Sequence, residues 1–255
     1  ALATVISEVL SAVLVLVSLM RSRDELAFSW RKLRIHRRSL SLMSKVGIPA
    51  GIQGCLFSLS NLAIQGAINA YGSVVVAGSS AAGSIDGFIY VSMNTFHQTA
   101  QTFLSQNIGA GKYDRVKDIL KKCLLCTVVT GAILSTVACV FSQPLLRIYN
   151  QDPAVVAAGT VRLYIAVAPY IIFGLADVLT GAIRGCGSPV RPVVINLLCT
   201  CVFRLLWIAA INTDTMPVTW VYASYPASWL VLLIALTVCW LRLYRRKIRP
   251  HLMPD

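Results

Sequence analysis

The chain has 255 residues, of which 56% are hydrophobic and 13% are charged, and its mean hydropathy is +0.71. A soluble domain carries about a quarter charged residues, so this composition does not fit a water-soluble core. The apolar runs are continuous, whereas outer-membrane β-strands alternate apolar and polar residues over about ten positions. The chain is therefore predicted to be an all-α integral membrane protein.

Seven apolar stretches follow one another along the chain, and each has the length of a transmembrane helix. About 20 helical residues are needed to cross roughly 30 Å of hydrocarbon. The stretches cover residues 2–20, 48–70, 74–103, 119–141, 155–183, 190–211 and 219–241. We expect each of them to span the bilayer.

The first stretch stands apart from the other six, which are joined by short loops rich in turn residues. We predict one transmembrane helix at 1–20, a basic cytoplasmic linker at 21–45, a six-helix lobe at 46–242 and a cytoplasmic tail at 243–255. The first stretch has its positive flank after it, which favours a span over a secretory signal. Because the chain begins with Ala inside this stretch, we expect further helices to precede it.

The net charge of +13 reflects 23 Lys and Arg against 10 Asp and Glu, and their placement decides what it means. Twenty of the 23 lie in alternate loops that share one side of the membrane: Arg21, Arg23, Arg31, Lys32, Arg34, Arg37, Arg38, Lys45, Lys112, Arg115, Lys117, Lys121, Lys122, Arg184, Arg191, Arg242, Arg245, Arg246, Lys247 and Arg249. Cytoplasmic loops collect Lys and Arg. The pattern predicts a plasma-membrane protein with these loops and its carboxyl terminus in the cytoplasm, and with lipid rather than nucleic acid as its partner.

Acidic side chains inside spans are costly in lipid and are therefore candidates for function. Asp86 lies close to the middle of the third span, and Asp177 lies nearer the cytoplasmic end of the fifth. Both are predicted to be ion-coupling residues, with Asp86 as the first candidate and Asp177 as the second. Arg184 follows Asp177 by seven residues on the same helix face, so a purely structural pair is the alternative. Glu8 lies nearer the outer surface and is a weaker candidate.

Polar side chains recur at helical spacing on the second and third spans, which places each set on one face. Unpaired amide groups are not tolerated in lipid, so these faces must meet other helices or a water-filled cavity. Their number favours a lined cavity over hydrogen bonding between helices alone. The predicted cavity residues are Gln53, Asn61, Gln65, Asn69, Tyr90, Asn94, Gln98 and Gln101.

Other groups in the spans leave two interpretations open. His97 is either a proton relay or, as we favour, a hydrogen-bonded residue. Arg162 and Arg204 either reach the outer interface or pair with Glu8 or with each other. Pro169 and Pro226 each interrupt a span, which either opens a binding site or only kinks the packing.

Several motifs resemble the multidrug and toxic compound extrusion (MATE) family. The segments 47–53 and 61–72 look like the start of its carboxyl-terminal lobe, and segment 98–112 resembles its most diagnostic signature. The run 182–187 resembles a further motif of the family. The predicted structural residues of these motifs are Gln106, Asn107, Gly109, Ala110, Gly111, Arg184, Gly185 and Gly187.

The resemblance implies a twelve-helix transporter of two six-helix lobes, with an amino-terminal lobe as partner and the present stretches as helices six to twelve. It also implies secondary active export of cationic or amphiphilic compounds against H⁺ or Na⁺, without another cofactor. The sequence departs from the sodium-coupled branch, since stretch 48–70 carries no acid and Asp177 lies further along its helix.

Three other functions are alternatives to multidrug export. A flippase of lipid-linked oligosaccharide would share the helices but is expected to have a more basic cavity, suited to a pyrophosphate, whereas the acids within these spans favour cationic amphiphiles. A purely structural subunit would not need acids in the middle of the membrane. An enzyme would need clustered catalytic residues, and no nucleophile with a base or phosphate-binding Gly-Lys-Ser or Gly-Lys-Thr motif is present. Cys123 and Cys126 have the spacing of half a zinc site, but small residues on a packed helix are favoured.

Overall fold

The computed structural model describes residues 2–21, 34, 36–211 and 215–251. The elements within these ranges are helices, as the sequence predicts. They are α1 (Leu2–Arg21), α2 (Arg37–Asn69), α3 (Ser73–Gly109), α4 (Val116–Val140), α5 (Ser142–Arg147), α6 (Pro153–Ala166), α7 (Tyr170–Gly185), α8 (Val190–Asn196), α9 (Phe203–Ala210) and α10 (Thr219–Leu243). Short 3-10 helices lie at Tyr113–Arg115 and Arg249–His251, and π-helical segments lie at Leu197–Val202 and Tyr244–Ile248.

The chain divides into two compact units, Ala1–Lys45 and Val46–Asp255. Most of the predicted linker, residues 22–33 and 35, lies outside the described residues. Its last part is helical, because α2 begins at Arg37 and continues unbroken into the predicted lobe. Residues 37–45 contain neither Gly nor Pro, so nothing in the sequence ends the helix before the apolar stretch.

Four described helical segments are long and apolar enough to cross a membrane: Ser73–Gly109, Tyr113–Val140, Val190–Ala210 and Thr219–His251. The count rises to five if the bent pair α6 and α7 forms one span. Seven spans were predicted, and of the other two stretches α1 has 20 residues with only Glu8 and Arg21 charged. The polar stripe of α2 lowers its mean hydropathy, although its 33 residues exceed the length of a span.

Proline acts differently in the two spans that it interrupts. Pro169 stands between α6 and α7, which meet at an angle of 48°. Pro226 instead lies inside α10, which continues through it. A third irregularity, the π-helical segment between α8 and α9, was not predicted, because no Gly or Pro marks it in the sequence.

The core of the second unit is built where α3 crosses α6 and α7 at glycines. A Cβ on Gly185 would lie 2.7 Å from the carbonyl oxygen of Gln101, and one on Gly181 would meet the carbonyl oxygen of His97. In the same way, Gly159 of α6 packs against Gly78 of α3. A Cβ added to Gly78 would lie 2.6 Å from the carbonyl oxygen of Val155. Small residues thus allow close backbone contact, the usual means of packing helices in a membrane.

The predicted motif residues end two of these helices. Gly111, after α3, and Gly187, after α7, have φ angles of +72° and +73°, which disfavour any residue with a side chain. The Asn107 carbonyl accepts the amide of Lys112 at 2.9 Å, and the Gln106 carbonyl accepts that of Ala110 at 3.0 Å. These bonds satisfy carbonyls that the end of α3 would otherwise leave free.

Alanine at Gly181 is expected to destabilise the second unit, because its Cβ would meet the backbone of α3 at His97. Overpacking of this kind costs about 1–3 kcal/mol. Thermal unfolding of the purified protein in detergent measures the effect. Gly66→Ala is the matched control, since its Cβ would have nothing within 4 Å and alanine favours the helix. Equal melting temperatures for the two variants would contradict this account of the crossing.

Candidate functional site: two adjoining polar cavities

Two cavities of similar size lie next to each other inside the second unit. The Asp86 cavity has a volume of about 330 Å³ and contains Asp86, Arg162 and Arg204. The Asp177 cavity has a volume of about 310 Å³ and contains Asp177, His97 and Arg184. Both are lined by the rings of Phe57, Tyr90 and Phe173. These shared aromatic rings therefore form the wall between the cavities.

Asp86 lies on α3 between Gly83 and Gly87, which leave room beside its carboxylate. Its Oδ1 is buried and has no hydrogen-bond partner. Arg162 and Arg204 lie within electrostatic reach of the carboxylate, and the Tyr170 hydroxyl lies beside it. Asp86 is therefore partly neutralised by charge without a direct salt bridge to either arginine.

Arg162 reaches the Asp86 cavity from α6, held by its contact with α3. Its Nη1 donates to the Ser79 carbonyl oxygen at 2.6 Å and to the Ser79 hydroxyl. Its guanidinium also lies 6.0 Å from the centres of the Tyr222 and Tyr225 rings. Gly83 lies directly under this guanidinium and provides the space that the arginine occupies.

Arg204 enters the same cavity from α9 and is only 1% exposed. Its Nε donates to the Ser228 hydroxyl at 2.9 Å, and its guanidinium stacks 4.6 Å above the Tyr225 ring. The Trp229 ring lies 6.0 Å away. The arginine is thus stabilised by a hydroxyl and aromatic faces rather than by a carboxylate.

These contacts change the charge of the site from what the sequence suggested. Arg162 and Arg204 neither pair with each other nor reach away from the core; their donors bind serines of α3 and α10. With two guanidiniums and one carboxylate, the described lining of the Asp86 cavity carries a formal charge of +1. The expectation from the sequence that acids in the spans favour cationic substrates is therefore wrong for this cavity, because its lining is net positive. Sequence position alone did not reveal which helix faces meet.

The Asp177 cavity is organised by three hydrogen bonds between helices. The Nδ1 of His97 donates to the Asp177 carboxylate Oδ1 and to the Asp177 carbonyl oxygen, both at 2.9 Å. Because a carbonyl oxygen only accepts, Nδ1 must carry the hydrogen. Arg184 donates instead to the side-chain oxygen of Gln53 on α2, at 2.8 Å.

Asp177 and Arg184 form no salt bridge within the described residues, although Arg184 lies within electrostatic reach of the Asp177 carboxylate. The α3–α7 crossing at Gly181 brings His97 against Asp177. The hydrogen bond from His97 then occupies Oδ1 of the carboxylate. The other, Oδ2, is buried without a partner. His97 is hydrogen-bonded, which is the interpretation that its sequence position favoured. The structure identifies its partner as the Asp177 carboxylate.

The predicted cavity residues divide between the two cavities instead of facing one. Asn61 and Gln65 line the Asp86 cavity, and Gln53, Asn94 and Gln98 line the Asp177 cavity. Tyr90 lines both. Two predicted residues line neither: Asn69 accepts a 3.0 Å hydrogen bond from Gln65, and Gln101 packs under Gly185.

Several lining residues were missed by sequence reasoning. Asn196 donates to the Thr180 hydroxyl at 3.3 Å, and both line the Asp177 cavity. Tyr170, Tyr225 and Trp229 line the Asp86 cavity. Aromatic and hydroxyl side chains are ordinary in membrane helices, so nothing in their spacing distinguished them. Among the described residues no group of three His, Cys, Asp or Glu side chains is placed to hold a metal ion.

The His97–Asp177 bond is expected to couple α3 to α7 energetically. Truncating either partner removes the bond and leaves a buried polar group unsatisfied, so His97→Ala and Asp177→Ala should each lower the melting temperature. Their effects should not add, and a double-mutant cycle should give a coupling of about 0.5–3 kcal/mol. The control cycle combines Asp177→Ala with Asp114→Ala, on the exposed 3-10 helix, and should be additive. Additivity in both cycles would show that the bond contributes nothing.

Comparison with known proteins agrees with this architecture. The MatE family profile matches residues 49–208. The chain is 25% identical over 238 residues to the probable multidrug resistance protein YoeA of Bacillus subtilis, covering 92% of this chain and 51% of that protein. It is 26% identical over 179 residues to a FAD transporter of Shewanella oneidensis, covering 69% of this chain and 39% of that protein. The chain spans about half the length or less of these relatives.

Solved structures show the same fold. The outward-facing conformation of a multidrug resistance MATE family transporter of the MOP superfamily superposes with a TM-score of 0.81 at 13% identity, over 95% of this chain and 55% of that chain. The all-helical fold thus corresponds to half of a two-lobe, twelve-helix transporter, as predicted. The match over most of the chain shows that it belongs to the multidrug and toxic compound extrusion family, whose members are membrane transporters and not enzymes.

Proposed function

We propose that this chain acts as the carboxyl-terminal lobe of a secondary active exporter of amphiphilic organic compounds, driven by antiport of H⁺ or Na⁺. The observation that carries the proposal is the pair of adjoining cavities, each holding one carboxylate with a buried, unpartnered oxygen. The related proteins named as a multidrug resistance protein and a FAD transporter support the export of organic molecules with aromatic parts.

Antiport requires that the coupling ion and the substrate exclude each other from the lobe. A carboxylate inside the membrane can hold H⁺ or Na⁺ and exchange it, which is why acids in spans mark ion pathways. The free Oδ2 of Asp177 is available for such an ion, while His97 holds Oδ1 in place. Tyr90, Phe57 and Phe173 are shared by both cavities, so a ring bound between them would contact both sites.

Asp177 is the stronger of the two predicted coupling residues. A cation that approached Asp86 would also meet the guanidiniums of Arg162 and Arg204, whose repulsion opposes its binding. Around Asp177 the nearest partner is a histidine, and Arg184 is directed to Gln53. For the same reason, a cationic group of a substrate is better accommodated in the Asp177 cavity than in the Asp86 cavity.

A lipid flippase of the same superfamily is the second candidate. The observation in its favour is the pair of arginines in the Asp86 cavity, since a basic cavity suits a pyrophosphate. The multidrug resistance relatives and the MatE match favour the exporter. Movement of a lipid-linked oligosaccharide across proteoliposomes without an ion gradient would instead support the flippase.

Asp177→Asn in the full-length protein is expected to abolish ion-driven export, because the amide cannot exchange a cation or proton. Substrate efflux from proteoliposomes under an imposed H⁺ or Na⁺ gradient measures this. Asp114→Asn, an exposed acid outside the cavities, is the matched control and should export at the wild-type rate. Coupled export at an unchanged rate in Asp177→Asn would assign coupling to Asp86 or to another part of the protein.

We also propose that the basic loops and the carboxyl terminus of this lobe lie in the cytoplasm, on the basis of the uneven distribution of Lys and Arg. In a cysteine-free background, Ser73→Cys at the first residue of α3 should react with a membrane-impermeant thiol reagent added outside intact cells. Lys112→Cys between α3 and α4 should react only after the cells are permeabilised. The reverse pattern would invert the orientation.

A further inference from the structure

We propose that the Asp86 cavity is a binding site for an anionic group, such as a carboxylate, sulfonate or phosphate, on an aromatic substrate. The proposal rests on the proposed function, since the ligand is taken to be the transported compound. It goes further by naming the charge of the part of the compound that lies here. Arg162 and Arg204 would bind the anion, and Asp86 would compete with it.

The net charge of the cavity lining favours an anionic ligand. Two guanidiniums and one carboxylate give the described lining a formal charge of +1. The salt bridge found within the described residues joins His97 to Asp177, so neither arginine has a carboxylate within salt-bridge distance there. A cation inside a membrane protein is costly unless it is compensated. An anionic ligand group would provide the compensation that the lining lacks.

The arrangement of the N–H donors on Arg162 and Arg204 also favours an anionic ligand. The serine bonds use Nη1 of Arg162 and Nε of Arg204, which fixes each guanidinium on its helix. An arginine has five N–H donors in a planar fork, so donors remain on both groups for a carboxylate or phosphate oxygen. Both arginines approach the same Tyr225 ring, at 6.0 and 4.6 Å, which brings them to one end of the cavity.

An aromatic lining lies beside these charges. Tyr170, Phe173 and Trp229 form an aromatic cluster with ring centres 5.2 to 5.4 Å apart. The Tyr90 ring lies 5.8 Å from Phe173 and continues the cluster into the second cavity. Aromatic faces bind a flat apolar ring, while the arginines bind its acidic substituent. The cavity therefore fits an amphiphilic aromatic anion.

Asp86 has a defined part in this site. Its carboxylate lies near both arginines. It therefore competes with an anionic ligand for their positive charge. Neutralising Asp86 should therefore strengthen the binding of an anion, whereas neutralising an arginine should weaken it. A merely structural role for the three residues would give losses for all variants, so the opposite signs identify the site.

The experiment uses two dyes with related three-ring cores, fluorescein as the anion and tetramethylrhodamine methyl ester as the cation. Binding to the full-length protein in nanodiscs of neutral lipid is measured by fluorescence anisotropy. Arg162→Gln should weaken fluorescein binding about ten- to a hundredfold, the loss expected for a charge-assisted hydrogen bond. Asp86→Asn should strengthen it several-fold. Neither change should weaken binding of the cationic dye.

Arg147→Gln, an exposed arginine at the end of α5, is the matched control and should leave fluorescein binding unchanged. Arg204→Lys keeps a positive charge at the buried position and should retain partial binding. Thermal unfolding of each variant separates a folding defect from a loss of binding. Since a folding defect cannot tighten binding, the Asp86→Asn result tests the proposal even if an arginine variant is unstable.

The outcomes separate this proposal from the proposed function. Binding of the cationic dye alone, or weaker fluorescein binding in Asp86→Asn, would overturn the anion site even if ion-driven export is observed. Fluorescein binding with the predicted variant effects, but without ion-driven export, would support the site and remove the antiporter. Displacement of fluorescein by phosphatidylglycerol in the nanodisc would overturn the aromatic substrate, because it would identify the ligand of the arginines as a lipid headgroup.

Discussion

The close crossing of α3 with α6 and α7 is the contact on which the rest of the lobe depends. Inside a membrane there is no hydrophobic drive between helices, so close backbone packing must supply the stabilisation. Gly78 and Gly159 allow it at one end of α3, and Gly181 and Gly185 allow it at the other. Because α3 is fixed at both ends, the polar residues along its middle are held towards α2, α7 and α10.

That position brings charged groups together from helices far apart in sequence. Arg162 and Ser79 are 83 residues apart, and His97 and Asp177 are 80 apart, yet each pair shares a direct hydrogen bond. Buried polar groups must be satisfied internally where water is absent. The two acids are the charged members of a small set of exceptions, which also includes the hydroxyls of Ser60, Ser135 and Thr200, since one oxygen of each is buried without a partner. Unsatisfied acceptors inside otherwise satisfied networks are the natural places for an ion or a ligand group.

The two cavities differ in charge although they are neighbours. Arginine stacks on aromatic rings and keeps its charge in a buried site, so Arg204 creates a permanently positive cavity beside Asp86. The Asp177 cavity instead holds a carboxylate whose Oδ2 is buried without a partner. We propose that one lobe presents an anion-binding side and an ion-exchanging side to the same aromatic compound, with Tyr90, Phe57 and Phe173 lining both cavities.

The sequence by itself determined the helices, their order and the family, because hydropathy, helical spacing and glycine motifs are local properties. It also identified Asp86, Asp177, Arg162 and Arg204 as unusual, since charged residues in apolar stretches are rare. Only the tertiary structure decided their partners. Helix rotation and crossing set which faces meet, and these depend on contacts such as Gly181 against His97. The Asp177–Arg184 spacing on one helix was therefore misleading, and the joint cavity of Asp86 with two arginines could not be predicted.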